Sequence, residues 1–216
     1  MRDLIEEQIA YYRARAAEYD VSLGHASGYD WGDFTPVLDH LGGLGPQDAV
    51  LEFACGTGIW TGELARIGAS ITAVDAAPEM LEINRRKLAD AKVVYQSADL
   101  FRWTPDRTYD LVFAGFWLSH VPPDLLDAFL TNVRRATRPG GRFVTVDQCA
   151  GLREYPPFHR HGIRETRTIA DGRTFTIVKV YHDPAALAEK LDGLGFEART
   201  HTIGESFFWL SALRRT

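Results

Sequence analysis

The sequence contains little cysteine and no long apolar run. Cys55 and Cys149 are too few for a disulfide framework or a zinc cluster, and we expect both to be small buried residues. No apolar stretch approaches the roughly 18 residues of a membrane-spanning helix, and the N-terminal MRDLIEEQIA is too charged for a signal peptide. These absences predict a cytoplasmic protein with no membrane partner.

A surplus of basic residues is also missing. The chain has 24 Lys and Arg residues against 29 Asp and Glu residues, which gives a net charge of -5. A nucleic-acid partner is therefore not expected, because phosphate backbones attract basic surfaces. With 216 residues, 45% of them hydrophobic, the chain fits a single globular domain over 1–216.

The sequence does contain an alternation of short apolar runs with amphipathic segments. The runs predict strands at 49–54, 70–75, 92–99, 109–116 and 141–148, and the segments between them predict helices at 59–67, 78–90 and 123–138. Continuous apolar strands that alternate with helices indicate a doubly wound α/β fold, in which helices cover both faces of a parallel sheet.

The flanking regions follow other patterns. Before the first strand we expect an amphipathic helix at 3–19, an irregular loop at 19–34 and a short helix at 35–44. After the fifth strand, two β-like runs around Asp171-Gly172 predict a hairpin within 165–181. A helix beginning at Asp183-Pro184 and two strands at 196–203 and 206–213 complete the chain.

A glycine turn follows the first strand, in Glu52-Phe53-Ala54-Cys55-Gly56-Thr57-Gly58. A dinucleotide fingerprint requires a third glycine, but Thr61 stands at that position and Gly62 comes one residue late. A phosphate loop requires a lysine, which this turn lacks. The turn therefore excludes a phosphate loop and weakens the dinucleotide interpretation.

Five motifs, in order and in register, make this chain resemble the class I S-adenosylmethionine-dependent methyltransferases. They are Glu52–Gly58, Val74-Asp75, Ser97-Ala98-Asp99-Leu100, Tyr109-Asp110-Leu111-Val112 leading to Phe116, and Arg138-Pro139-Gly140-Gly141-Arg142-Phe143. Ala54 replaces the first glycine of the family's turn. The resemblance covers about residues 48–148. It implies a Rossmann-like, mostly parallel seven-stranded sheet with an antiparallel last strand, N-terminal lid helices and an inserted hairpin.

The resemblance also implies S-adenosylmethionine as cofactor and S-adenosylhomocysteine as product. Gly56 and Gly58 would let the backbone approach this phosphate-free donor closely. Glu52 would serve its ammonium group, Asp75 its ribose hydroxyls and Asp99 its adenine amino group. Other positions implied to bind the cofactor are Ala54, Ala76, Met80, Leu100 and Phe116.

Each of the three acidic residues also has a structural explanation, which stays open at this point. Asp75 is placed to cap the helix that begins at Pro78, and Asp99 is placed to stabilise a turn. Glu52 is placed to pair within the strand layer.

The acceptor end of the predicted site follows the fourth strand, in Phe116-Trp117-Leu118-Ser119-His120. This segment lacks the Asn-Pro-Pro-Tyr motif of amino methyltransferases, the acidic ligand of metal-dependent catechol enzymes and the cysteine cluster of radical enzymes. What remains resembles the small-molecule group. We predict His120 as general base, because its unperturbed pKa lies near neutral pH, and Trp117 as a substrate contact. Capping of the helix at Pro123 is the alternative for His120.

Two segments are predicted to cover the site. The N-terminal helix resembles a family lid, so Tyr12, Arg15 and Tyr19 are expected to reach the donor and Tyr11 the acceptor; a docking helix with its tyrosines in the core is the alternative. The following loop is expected to contribute an apolar wall from Trp31 and Phe34.

The second covering segment is the insertion 150–182, between the donor-binding core (46–149) and the C-terminal part (183–216). It is expected to contact the acceptor through His159, His161 and Arg164. Two histidines without a third ligand do not predict a metal site. Its arginines, Arg160, Arg164 and Arg167, predict an anionic or carboxylate-bearing acceptor.

The sequence as a whole predicts methyl transfer from S-adenosylmethionine to a small molecule, with oxygen first and nitrogen second as the acceptor atom. One alternative is an NAD(P)-dependent oxidoreductase, which would need a Tyr-x-x-x-Lys pair that the sequence lacks. The other is a non-catalytic subunit that binds the donor or activates a partner, and it predicts a degraded glycine turn. A monomer or a homodimer is expected.

Overall fold

A computed structural model describes residues 1–24, 33–149 and 160–216. Its centre is a seven-stranded sheet of order β3-β2-β1-β4-β5-β10-β9. Strands β1 to β5 are parallel, and β10 runs antiparallel between β5 and β9. The predicted mostly parallel sheet with an antiparallel last strand is confirmed.

The elements of the central sheet alternate with helices along the chain. The strands are β1 (Val50–Phe53), β2 (Ile71–Asp75), β3 (Val93–Ser97), β4 (Tyr109–Gly115), β5 (Thr137–Gln148), β9 (Phe196–Ile203) and β10 (Phe207–Arg214). The helices are α1 (Arg2–Arg15), α2 (Tyr19–Gly24), α3 (Thr35–Gly43), α4 (Ile59–Leu64), α5 (Pro78–Lys87), α6 (Pro123–Ala136) and α7 (Pro184–Gly193). Within the described ranges, no helix is long and apolar enough to cross a membrane.

Helices bury an apolar cluster on each face of the sheet, as expected for a doubly wound fold. On one face, α6 and α7 contribute Phe129, Leu130 and Leu187 to a cluster with β1 and β4. On the other face, Val37 of α3 and Leu81 of α5 pack against the same strands. The strands are therefore buried from both sides, which explains their unbroken apolar sequences.

A small second sheet joins the N-terminal helix above the carboxyl ends of the strands. It contains β6 (Arg160–His161), β7 (Arg164–Thr168) and β8 (Thr174–Val178) in antiparallel order. Side chains of α1 complete the open edge of β8: Glu7 Oε1 accepts from Thr176 N at 2.6 Å, and Gln8 Oε1 accepts from Val178 N at 3.0 Å. The predicted lid helix and hairpin thus pack together.

Some predicted boundaries were wrong. The helix expected at 3–19 ends at Arg15 and passes through a 3-10 turn into α2, whereas an irregular loop was expected from residue 19. Tertiary contacts hold α2, since Asp20 accepts from Thr57 Oγ1 and pairs with Lys87. Strand β6 was not expected.

Strand β5 also begins four residues earlier than expected, at Thr137, and includes the Pro-Gly-Gly motif. Arg138 Nε bonds Asp110 Oδ1 of β4, which keeps this irregular start paired to the sheet. A Cβ at Gly141 would lie 2.9 Å from Arg138 O, so the close pairing needs glycine there.

Candidate functional site

A cavity lies at the carboxyl ends of β1 to β4, with α1 as its cover. Its empty volume is about 660 Å³, including its open mouth. Its described lining combines strand ends with residues of the N-terminal helices: Ile5, Gln8, Ile9, Tyr12, Tyr19, Ala54, Gly56, Asp75, Ala76, Ala77, Met80, Asp99, Leu100, Phe101, Gly115, Phe116, Trp117 and His120.

Backbone with positive φ forms the floor of this cavity. Ala54 and Gly56 both have φ of 51°, and Phe116, at the end of β4, has φ of 55°. Such values are uncommon for alanine and phenylalanine and cluster at functional sites. Gly58 does not line the cavity, but its φ of 94° turns the chain into α4, and a Cβ there would lie 2.6 Å from Asn84 Oδ1. The turn therefore needs glycine for its shape.

Asp75 holds the turn and faces the cavity at the same time. Its Oδ2 accepts from Gly56 N at 2.9 Å, and its Oδ1 accepts from Ala77 N, at the start of α5, at 2.8 Å. Burial raises the pKa of this carboxyl, and the backbone hydrogen bonds oppose that rise. Each oxygen keeps further lone-pair capacity toward the cavity, so the capping and binding explanations are compatible.

Asp99 lies two residues after the end of β3. Its Oδ1 accepts from Phe101 N at 3.0 Å, which is the turn role considered from the sequence. It also lines the cavity together with Leu100, and Met80 and Ala76 lie in the wall contributed by α5 and its approach. The sequence predicts that Asp99, in this part of the site, accepts from the adenine amino group of the cofactor.

Glu52 lies outside the described lining, although it belongs to the turn motif. Its side chain is buried, and its Oε2 accepts from Thr61 Oγ1 at 2.6 Å. Asn84 Nδ2 also donates to Thr61 Oγ1, and Tyr95 donates to Asn84 Oδ1. Burial raises the pKa of Glu52 to about 8, which keeps the carboxyl largely protonated at neutral pH. Its predicted role at the donor ammonium stays a prediction.

The N-terminal helices bring some of their predicted residues to the cavity. Tyr12 and Tyr19 line it. Arg15 stacks over the Tyr19 ring, 5.0 Å from the centroid, and donates to the Tyr11 hydroxyl at 2.8 Å. Tyr11 itself is buried against Ile177 of β8, outside the described lining.

His120 is fixed in one orientation at the wall of the cavity. Its Nδ1 lies 2.8 Å from Val178 O and its Nε2 lies 2.9 Å from the Tyr12 hydroxyl. It lies in a 3-10 helix, Leu118–His120, and does not cap α6. Burial lowers the pKa of this imidazole well below its usual value, and the charges of Lys179 and Arg167 lower it further. His120 is therefore neutral at pH 7.

The other predicted acceptor contacts are distributed unevenly. Trp117 lines the cavity, packed against Phe101. Phe34 packs against Phe116 at a centroid distance of 5.8 Å. Arg164 is exposed in β7, away from the described lining. Trp31, His159 and the side chain of His161 lie outside the described residues.

Sequence reasoning missed several residues of the site. Gln8, buried on α1, donates to His120 O at 3.2 Å in addition to its contact with β8. Lys179 is only 5% exposed, and its Nζ donates to Ser119 Oγ at 2.8 Å. A buried lysine in a hairpin gives no periodic signal. A polar glutamine on the apolar face of a predicted helix was the one available clue.

The chain is similar to known methyltransferases over much of its length. A family model described as a methyltransferase domain matches residues 50–141. The demethylmenaquinone methyltransferase of Tropheryma whipplei (strain Twist) is 30% identical over 123 residues, 56% of this chain and 51% of that protein. The ubiquinone/menaquinone biosynthesis C-methyltransferase UbiE of Teredinibacter turnerae is 32% identical over 156 residues, 67% of this chain and 61% of that protein. The chain thus spans about half the length of the first of these relatives.

Two solved structures are similar over nearly the whole chain. The DhpI-SAM-HEP complex is 38% identical, covers 97% of both chains and superposes with a TM-score of 0.83. The DhpI-SAH complex is 36% identical, covers 100% of this chain and 98% of that chain, and superposes with a TM-score of 0.78.

Proposed function

The chain belongs to the class I S-adenosylmethionine-dependent methyltransferases, and we propose that it transfers a methyl group to an anionic oxygen of a small molecule. The observation that carries the acceptor class is the position of the buried Lys179, whose Nζ donates to Ser119 Oγ at 2.8 Å, next to His120 in the chain.

The cavity residues fit S-adenosylmethionine, which supplies a reactive methyl group on its sulfonium. Asp75 is a half-buried acceptor whose oxygens each accept from one backbone N–H, so both can still accept from ribose hydroxyls. Asp99, at the far end, can accept from an amino group. The positive-φ turn at Ala54 and Gly56 leaves backbone, rather than side chains, beside the ligand.

Three cations act on the acceptor end of the cavity. The pKa of His120 is lowered first by burial and then by Lys179, Arg167 and Arg15. These side chains lie outside the described lining, and Arg167 is paired with the buried carboxylate of Glu165, so Lys179 is the main cation beside this wall. A positive potential favours an anionic acceptor and opposes an ammonium acceptor. It therefore supports oxygen over nitrogen as the acceptor atom.

An anionic oxygen also suits the state of His120. The Nε2 lone pair of this imidazole is already engaged by Tyr12, and nearby cations make an imidazolium costly. An acid that is ionised at neutral pH needs no proton removed. We infer that His120 positions Tyr12. The general-base role predicted from the sequence is the alternative that the variant below tests.

Acceptor screening tests the proposed class. Purified protein is incubated with methyl-labelled donor and a panel of small carboxylates, phenols, hydroquinones and amines. Labelled methyl esters or ethers are the expected products. Transfer to amines alone, or to ring carbon of hydroquinones as the names of the relatives would suggest, would overturn the proposal.

Charge removal tests the observation behind it. We expect Lys179→Met to raise KM for the acid by about tenfold with a smaller change in kcat, because it removes charge that attracts the acceptor. Arg199→Gln, at an exposed position of β9, is the control and should change neither constant. Equal KM values in all three proteins would remove the electrostatic argument.

Replacement of His120 separates its two roles. His120→Gln keeps a hydrogen-bond acceptor for Tyr12 but has no basic nitrogen. With positioning alone we expect kcat to fall less than about tenfold, whereas loss of a general base costs roughly 100-fold or more. A loss of the larger size would restore the general-base assignment.

A further inference from the structure

We propose that the Tyr12 hydroxyl oxygen acts as a hydrogen-bond acceptor that selects methyl acceptors with a hydroxyl group next to their anionic oxygen. This rests on the proposed function. It adds a feature that an oxygen-directed methyltransferase does not by itself require.

A chain of hydrogen bonds determines that the Tyr12 hydroxyl donates to His120 and can only accept from a ligand. A carbonyl oxygen can only accept, so the contact at 2.8 Å between His120 Nδ1 and Val178 O places a proton on Nδ1. In the neutral imidazole Nε2 then carries a lone pair and accepts from Tyr12 at 2.9 Å. The only proton of the Tyr12 hydroxyl is therefore directed at His120, and its oxygen offers the cavity lone pairs alone.

The surroundings of His120 keep the imidazole neutral, so the direction of its hydrogen bond with Tyr12 is preserved. An imidazolium would donate from Nε2 and free the Tyr12 proton for the cavity. Lys179 of the hairpin, Arg167 of β7 and Arg15 of α1 all oppose that charge, and burial opposes it more strongly.

The oxygen of Tyr12 is available at the wall of the cavity. Tyr12 and His120 both line the cavity, and their rings meet edge to face at 5.5 Å. Among the described residues, no second hydrogen bond reaches the Tyr12 oxygen. A ligand group that donates to this oxygen therefore gains a hydrogen bond.

The position of Tyr12 points to the acceptor rather than the cofactor. Asp75 and Asp99 already stand where carboxylates can meet the hydroxyl and amino groups of the cofactor. Tyr12 is bonded instead to His120, where the cations act. The hydroxyl group that donates a hydrogen bond to Tyr12 therefore belongs to the methyl acceptor, whose anionic group those cations attract.

The experiment compares two probes that differ by one hydroxyl. Lactate and propanoate are offered with methyl-labelled donor, and kcat/KM is measured for each. We expect wild type to prefer lactate by about fivefold to tenfold, the effect of one hydrogen bond. Tyr12→Phe should bring the ratio of kcat/KM for lactate to that for propanoate to about one, because it removes the oxygen that accepts from the lactate hydroxyl.

The ratio makes the test independent of folding. Tyr109→Phe is the matched control, since it removes a buried hydroxyl bonded to Thr72 in the sheet, and its ratio should equal that of wild type. Affinity for S-adenosylhomocysteine verifies that each variant is folded.

Three outcomes would overturn the inference. Equal use of both probes by wild type, or equal losses on both in Tyr12→Phe, would refute selection by Tyr12 and leave the proposed function standing. Turnover of neither acid by wild type would overturn the inference, and the proposed function would fall with it only if no other anionic acceptor of the panel were methylated.

Discussion

At the scale of single residues, two carboxyl groups support the glycine turn. Asp75 stabilises the glycine turn through Gly56 N and the start of α5 through Ala77 N, while it faces the cavity. Glu52 of β1 accepts from Thr61 of α4 and so connects the two elements that flank the turn. The binding surface and its support are therefore coupled, and substitutions here act on affinity and on stability.

Asp75→Asn should weaken S-adenosylhomocysteine binding by about tenfold or more. The amide lacks the negative charge that strengthens hydrogen bonds to ribose hydroxyls, and its NH2 group would face a backbone N–H. Calorimetric titration measures the change. Asp171→Asn, at an exposed position of the hairpin, should bind like wild type. Unchanged affinity of Asp75→Asn would contradict a ligand contact at this position.

Glu52→Gln should remove a pH dependence of stability. The folded pKa of about 8 exceeds the usual 4.5, so between these values the folded state holds more protons than the unfolded state, and wild type loses stability as pH rises. The variant has no such proton. As pH rises, the free energy of unfolding of the variant should therefore increase relative to that of wild type, by at most about 1.4 kcal/mol per pH unit.

Urea unfolding at about pH 5.5 and about pH 7.5 measures this effect. Glu197→Gln, an exposed carboxyl on β9 of the same sheet, serves as control and should show no such gain. A constant difference between Glu52→Gln and wild type across this range would show that Glu52 is ionised in the fold.

At the scale of elements, α1 and the hairpin work as one cover. Glu7 and Gln8 bond the edge of β8, and Tyr11 packs against Ile177. The same helix pairs with α5 through Arg13 and Glu79, at an exposed site that adds little to stability. Buried contacts of α1, rather than surface charges, therefore fix the cover over the cavity.

Gln8→Ala should destabilise the protein by roughly 1–3 kcal/mol, because Val178 N loses a buried partner. Denaturant unfolding gives the magnitude, and hydrogen exchange should be faster at the Val178 amide. Glu6→Ala, on the exposed side of the same helix, should unfold like wild type. If both variants unfold alike, the cover is not held through Gln8.

At the scale of the whole molecule, topology places the site. Parallel strands β1 to β4 end at the same edge, so Asp75 at the end of β2 and Asp99 just after β3 both line the cavity there, as residues of ligand sites in open α/β sheets do. The predictions of a single domain, a cytoplasmic location and a monomer or homodimer concern the same scale and stay predictions.

Ligand binding should stabilise the fold as a unit. S-adenosylhomocysteine at about 100 times its Kd should raise the free energy of unfolding by about 2.7 kcal/mol. Thermal unfolding with and without the ligand measures this. NADH at the same concentration is the control, and stabilisation by NADH alone would favour the dinucleotide interpretation that the turn at Thr61 disfavours.

Local sequence patterns were enough to predict the family, the sheet and the edge of the sheet at which the glycine turn lies. Apolar strands and a glycine turn are local patterns, and parallel pairing forces Asp75 and Asp99 to the edge where Gly56 lies. Its errors lie where local pattern competes with tertiary contact, as in α2, whose Asp20 is held by Thr57.

The chemistry around His120 depends on tertiary contacts that no local sequence pattern shows. Tyr12 and His120 are 108 residues apart, and Gln8 and Val178 are 170 residues apart. Sequence periodicity indicates which face of a helix is buried, but not which buried groups meet when α1 and the hairpin dock on the sheet. That docking determines the tautomer of His120, the hydrogen-bond direction of the Tyr12 hydroxyl and the burial of Lys179. Each of these depends on a partner from another element.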